Sequence, residues 1–126
     1  MSKEKTILIV EDELPLIKAL QIKLVSSSFR IILANNGKVG LSQALTQHPD
    51  LILLDLVMPV MDGITMLKKL RHDDWGKKVP VIILTNLSDK EKMTEAEDYG
   101  VENYVIKAES SLGNLVKIIH KKLNMQ

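Results

Sequence analysis

The chain has 126 residues, 45% of them apolar and 26% charged, with a net charge of +1 and no cysteine. That length supports one domain with a real core. The balance of charge, with no basic cluster, points away from nucleic-acid or membrane surfaces, and the missing cysteines exclude disulfides, thiolate metal sites and cysteine nucleophiles.

The start, Met1-Ser2-Lys3-Glu4-Lys5, is charged and lacks the apolar core of a secretion signal, so a cytoplasmic location is the default. No run is long enough to span a bilayer. Thr6 to Val10 is a short, continuous apolar run that reads as a buried strand, and it ends on Glu11-Asp12. Pro15 suits the first turn of a helix, in which Leu14, Ile17, Leu20 and Leu24 recur at helical spacing as far as about residue 26. Phe29 to Ala34 is a second strand, followed by a turn at Asn35-Asn36-Gly37. Val39, Leu41, Ala44 and Leu45 mark a helix that ends near His48-Pro49.

Leu51 to Leu54 is apolar throughout, reads as a strand buried on both faces, and ends on Asp55. Pro59 stops pairing, and Asp62-Gly63 is a turn signal that can launch a helix. Ile64, Met66, Leu67 and Leu70 carry that helix, with closure expected at Trp75-Gly76. Val79 to Leu84 is a fourth strand, ending on Thr85-Asn86. Ser88 and Glu91 have capping-box spacing for a helix poor in apolar residues, which stops at Gly100. Asn103 to Ile106 is a fifth strand, ending on Lys107, and Ser110 or Ser111 caps a last helix with an apolar stripe from Leu112 to Leu123.

Five strands alternating with five helices imply a doubly wound α/β domain: a five-stranded parallel sheet in the order 2-1-3-4-5, with helices on both faces. One domain is expected to fill residues 1–126, with a core of about 5–124. In such a sheet the strand ends share one edge, so Glu11, Asp12, Asp55, Thr85 and Lys107 gather there. Clustered carboxylates need a counter-charge, and a hard divalent cation with oxygen ligands such as Mg2+ supplies it. A cation, an ammonium and a hydroxyl together suit a phosphoryl group, with an aspartate beside them as nucleophile. Each residue also has a plainer reading. Glu11-Asp12 can favour a helix dipole, Thr85 can be a satisfied loop residue, and Lys107 can be a solvated charge.

The motifs Ile7-Leu8-Ile9-Val10-Glu11-Asp12-Glu13, Leu54-Asp55-Leu56-Val57-Met58-Pro59 with Asp62-Gly63, Ile83-Leu84-Thr85 and Tyr104-Val105-Ile106-Lys107 resemble those of CheY-like response-regulator receiver domains, over essentially the whole chain. The resemblance implies a switch in two-component signalling. Asp55 would accept a phosphoryl group from a sensor histidine kinase or a histidine phosphotransfer protein. Asp12, Asp55 and the Val57 backbone carbonyl would bind Mg2+, with Glu11 acting partly through water. Thr85 and Lys107 would contact phosphoryl oxygens, and Tyr104 would rotate inward as Thr85 moves. The face formed by the fourth helix, fifth strand and fifth helix would then change partners.

Two positions depart from the family pattern, and two variable positions bear on the lifetime of the acyl phosphate. Ala108 stands where the family usually has a cis proline, and cis costs roughly 2.5–4 kcal/mol without proline, so a trans bond is expected. Asn86 stands where a smaller residue is common and narrows access. Val57 and Leu87 are apolar at positions that influence hydrolysis of the acyl phosphate, which implies a long-lived phospho-Asp55. Competing readings are a metal-dependent phosphohydrolase, a flavodoxin-like FMN protein and a degenerate receiver used only as an interaction module. The first lacks an acid at Val57, and the second would place a phosphate against Glu11-Asp12-Glu13. The third is opposed by the complete acidic and phosphoryl-contacting set.

Overall fold

The computed structural model describes residues 4–25, 28–85, 90–107 and 112–123. Among these, strands and helices alternate: β1 Thr6–Val10, α1 Leu14–Val25, β2 Arg30–Ala34, α2 Gly37–Gln47, β3 Leu51–Asp55, α3 Gly63–Arg71, β4 Val81–Thr85, α4 Lys90–Glu97, β5 Asn103–Ile106 and α5 Leu112–Lys122. All strand pairs are parallel, in the order β2-β1-β3-β4-β5. Every residue of β3 and β4 is buried, as continuous apolar strands covered on both faces must be. Alternate side chains divide the core in two. Leu8, Val10, Ile52, Leu54, Val81 and Ile83 pack with residues of α2, α3 and α4. Ile7, Ile9, Leu51, Leu53, Ile82 and Leu84 pack with α1 and α5.

The strand registers align the functional edge. Val10 pairs with Leu54, Asp55 with Leu84, and Thr85 with Ile106. Close packing holds the next loop against this edge. A Cβ on Gly63 would lie 2.2 Å from the Asp55 carbonyl oxygen and 2.8 Å from Leu56 Cα, so only glycine lets α3 start here. Asp62 caps that helix, its Oδ1 accepting a hydrogen bond from Thr65 N at 2.8 Å. Just before it, Met61 N donates to Pro59 O at 2.8 Å and closes a three-residue turn around Val60. Val60 has φ +67 and is 78% exposed, a left-handed conformation that costs a β-branched residue about 1–3 kcal/mol.

Several expected boundaries shift. Helix α3 ends at Arg71 and does not reach Trp75-Gly76. The Asp73 carboxylate captures Gly76 N at 2.8 Å, and Arg71 turns its guanidinium to the carbonyls of Gly76 and Val79 at 2.7 and 2.8 Å. These side-chain bonds replace the helix ladder. Strand β4 begins at Val81 rather than Val79, because Pro80 has no N–H to offer a neighbouring strand. Strand β2 begins at Arg30, one residue after the expected Phe29. Leu14 does not join the buried stripe of α1. It is 67% exposed, and Ile17, Leu20 and Leu24 are the buried residues.

Helix α4 buries only Ala96, as its apolar-poor sequence implies, and Gly100 follows it with φ +71. Expectations for Asn86, Leu87, Ser88, Ala108, Ser110 and Ser111 fall outside the described residues. No described helix is long and apolar enough to cross a membrane.

Candidate functional site at the carboxyl edge of the sheet

The residue after β1 is Glu11, which is fully buried. Its backbone N–H continues the sheet ladder to Ala34 O at 3.0 Å, so the side chain leaves from a fixed base. Glu11 Oε2 accepts hydrogen bonds from Asp12 N and Glu13 N, both at 3.0 Å. The carboxylate therefore organises the turn that enters α1. Its Oε1 faces the Lys107 ammonium at 2.8 Å.

Asp55 ends β3 with 3% exposure. Its Oδ1 accepts a hydrogen bond from Val57 N at 3.2 Å, and its Oδ2 lies 3.0 Å from Lys107 Nζ. Thr85, the last residue of β4, is 1% exposed, and its carbonyl accepts Lys107 N at 2.8 Å. That backbone bond extends the β4–β5 pairing and sets where the lysine side chain begins. Lys107 Nζ also lies 3.4 Å from Glu13 Oε1, a carboxylate with 55% side-chain exposure. Val57 is half-exposed beside the pocket.

Burial and charge oppose one another here. Burial pushes the Glu11 carboxyl up to about 7, against the lowering effect of the Lys107 and Glu13 hydrogen bonds, and the nearby Asp55 charge adds to the rise. Asp55 is also raised, first by burial, with Lys107 and the Val57 N–H working against it. Burial alone would lower Lys107, but the Glu11 and Asp55 carboxylates outweigh it and raise the ammonium above the ordinary lysine range. The ammonium thus stays charged, while the buried carboxylates carry the electrostatic cost of metal-free packing.

Oxygen atoms of Glu11, Asp12 and Asp55 all lie within 4.8 Å of one another. An all-oxygen donor set of three carboxylates fits a hard divalent cation, because it supplies charge and ligands that one lysine cannot balance. The structure therefore gathers Glu11, Asp12, Asp55 and Lys107 in one pocket, with Thr85 and Val57 at its edge. Tyr104 sits apart. Its half-buried ring packs on the core shared with α2, α3 and α4, and its hydroxyl donates to Met93 O of α4 at 3.2 Å. Burial, and then the Glu97 carboxylate, push that hydroxyl up to about 12, so it remains protonated. Sequence reasoning missed Glu13 as a partner of Lys107. Its only signal was its place next to two acids, which does not reveal where the side chain turns.

Comparison with known proteins agrees with this geometry. The family model described as the response regulator receiver domain matches residues 7–120. Response regulator ArlR of Staphylococcus aureus strain Mu50 is 36% identical over 101 residues, covering 80% of this chain and 45% of that protein. The chain thus spans about half the length of the curated relatives it matches. Among solved structures, it is similar to the receiver domain of sensor histidine kinase PA1611 from Pseudomonas aeruginosa PAO1, which has a magnesium ion coordinated in its active-site cleft. The TM-score is 0.87 at 26% identity, with 97% of this chain and 99% of that one covered. It is also similar to the phosphorylated cyanobacterial phytochrome response regulator RcpA, with a TM-score of 0.79 at 27% identity, covering 95% and 91%. Receiver domains of this family act as phosphorylation switches and receive phosphoryl groups from histidine kinases. The matched span, the parallel sheet and the pocket at its carboxyl edge place this chain in the response regulator receiver domain family.

Proposed function

We propose that this domain is a magnesium-dependent phosphorylation switch with Asp55 as the phosphoryl acceptor. The observation that carries the reading is Lys107 Nζ at 3.0 Å from Asp55 Oδ2, in a pocket where the Glu11, Asp12 and Asp55 carboxylates converge within 4.8 Å. Asp12, Asp55 and the Val57 carbonyl would hold Mg2+, with Glu11 contributing partly through water. When bound, the ion neutralises carboxylate charge and draws electron density from the phosphoryl oxygens.

A carboxylate oxygen of Asp55 forms the new bond to phosphorus as the bond to the donor's histidine nitrogen breaks. The imidazole leaves with the electron pair. Lys107, with its high proton affinity, turns from Asp55 to a phosphoryl oxygen and remains an ammonium. Thr85 offers its hydroxyl to another phosphoryl oxygen. The donor is a sensor histidine kinase or a histidine phosphotransfer protein, and the setting is cytoplasmic.

The response would then pass through Tyr104. Its hydroxyl is bonded to Met93 O, and Glu97 contributes to its environment, so inward rotation of the ring gives up a contact with α4. Helix α4 buries only Ala96, and its other holds are the partly buried Met93 and the half-exposed Glu95–Lys68 pair at 3.2 Å, so it is a thinly packed element. The α4–β5–α5 face is the surface expected to exchange partners.

Incubation with Mg2+ and excess acetyl phosphate, followed by intact-mass measurement, tests the assignment. One phosphoryl adduct is expected, with none after chelation of the metal. An adduct of equal yield in chelator would defeat the reading. The apolar Val57 beside the pocket offers no hydrogen bond to an attacking water, so the adduct should last minutes or longer once donor is removed. Complete loss within seconds in Mg2+ would contradict that lifetime.

A further inference from the structure

Lys107 has three N–H bonds and three carboxylates around it: Glu11 at 2.8 Å, Asp55 at 3.0 Å and Glu13 at 3.4 Å. The first two are buried, and the third is 55% exposed. Glu13 also stands outside the set of carboxylates whose oxygens converge, which is Glu11, Asp12 and Asp55. Formal charge separates their roles. Three converging carboxylates are balanced by a divalent ion and one ammonium. With that ion bound, Glu13 would be the carboxylate in excess, and it is the exposed one of the three that meet Lys107.

We infer that Glu13 is a specificity-determining charge at the mouth of the Asp55 pocket, disfavouring small dianionic phosphodonors relative to donors of lower negative charge. The inference rests on the phosphoryl-acceptor reading above. The transfer itself is the same for every donor: an Asp55 oxygen bonds to phosphorus, and the donor's P–O or P–N bond breaks with its electron pair on the leaving group. Donors differ in the charge they carry past Glu13. Acetyl phosphate arrives as a dianion and leaves as acetate. Phosphoramidate, protonated on nitrogen, arrives as a monoanion and leaves as ammonia. A donor whose phosphoryl group sits on a nitrogen within cationic surroundings meets the least repulsion.

The test compares the parent, Glu13→Gln and Glu13→Asp, each saturated with Mg2+, using acetyl phosphate and phosphoramidate. At low salt, Glu13→Gln should raise the second-order rate constant about fivefold to tenfold with acetyl phosphate, and about twofold to threefold with phosphoramidate. Added salt should close that gap, because the charge is exposed and screened. Glu13→Asp should keep the parent's preference. Calorimetric Mg2+ affinity should change less than about threefold in either variant, which separates donor repulsion from ion loading. If Glu13→Gln changes both donors by one common factor, or slows both, the inference is overturned and Glu13 acts by holding Lys107 in place. If the parent gains no adduct from either donor, the phosphoryl-acceptor reading fails and takes the inference with it.

Discussion

A Lys107→Ala protein should accept a phosphoryl group from acetyl phosphate on the order of a hundredfold more slowly than the parent, even with saturating Mg2+. Lys107 is the group placed to meet negative charge on the phosphoryl oxygens, and it already lies 3.0 Å from Asp55 Oδ2. Its loss also leaves Glu11 and Asp55 buried without their ammonium partner, so the metal-free variant should lose on the order of 3 kcal/mol of stability.

The pH dependence follows from the direction of the carboxyl shift. In the metal-free parent the folded protein holds the Glu11 proton more tightly than the unfolded chain, with the value raised from 4.5 to about 7. The folded state is therefore favoured by this group in acid, and the advantage is lost as pH rises through that interval. Removing Lys107 should widen the interval upward, and Mg2+ should reverse the loss by stabilising the ionised form. Urea unfolding at several pH values, with and without Mg2+, reads all three effects. A phosphorylation rate within threefold of the parent would remove Lys107 from the mechanism.

The second large effect belongs to a residue remote from the pocket. Arg71→Met should lose about 3 kcal/mol of stability, because the Arg71 guanidinium joins three chain segments through backbone carbonyls. Nε donates to Tyr99 O at 2.7 Å, Nη1 to Gly76 O and Val79 O at 2.7 and 2.8 Å, and Nη2 to Gly100 O at 2.6 Å. These bonds secure the end of α3, the approach to β4 and the turn after α4. Burial lowers its pKa from the ordinary arginine value, although the group stays charged. Arg71→Lys should recover little, since an ammonium cannot reproduce the planar fork. A urea midpoint shift with an unchanged slope measures the loss. A change below about 1 kcal/mol would mean that water satisfies those carbonyls as well as Arg71 does.

Arg71 also marks the limit of what the sequence reveals. The buried strands were legible because β1, β3 and β4 are unbroken apolar runs, and the parallel direction of the sheet followed from their alternation with helices. Asp55, Glu11 and Lys107 were legible because each stands at or just beyond a strand end, and the fold brings those ends to one edge. Side-chain reach was not legible. Arg71 carried no signal in the sequence, yet its partners lie up to 29 residues away. Glu13 looked like one more acid before a helix, and its pairing with Lys107 spans 94 residues. Leu14 fitted the helical stripe of α1 by spacing but sits at its first residue, where the helix face has not yet met the sheet. The closure of α3 depended on Asp73 and Arg71 finding backbone partners, which periodicity does not encode.

The most direct test of the account is to locate the phosphoryl bond. The chain would be treated with Mg2+ and acetyl phosphate, quenched, and reduced with borohydride, which converts an aspartyl phosphate to homoserine. Peptide mass mapping should find homoserine at position 55, with the change dependent on Mg2+ and absent from Asp55→Asn. Homoserine at Asp12 or Asp62, or modification that persists without the metal, would contradict it.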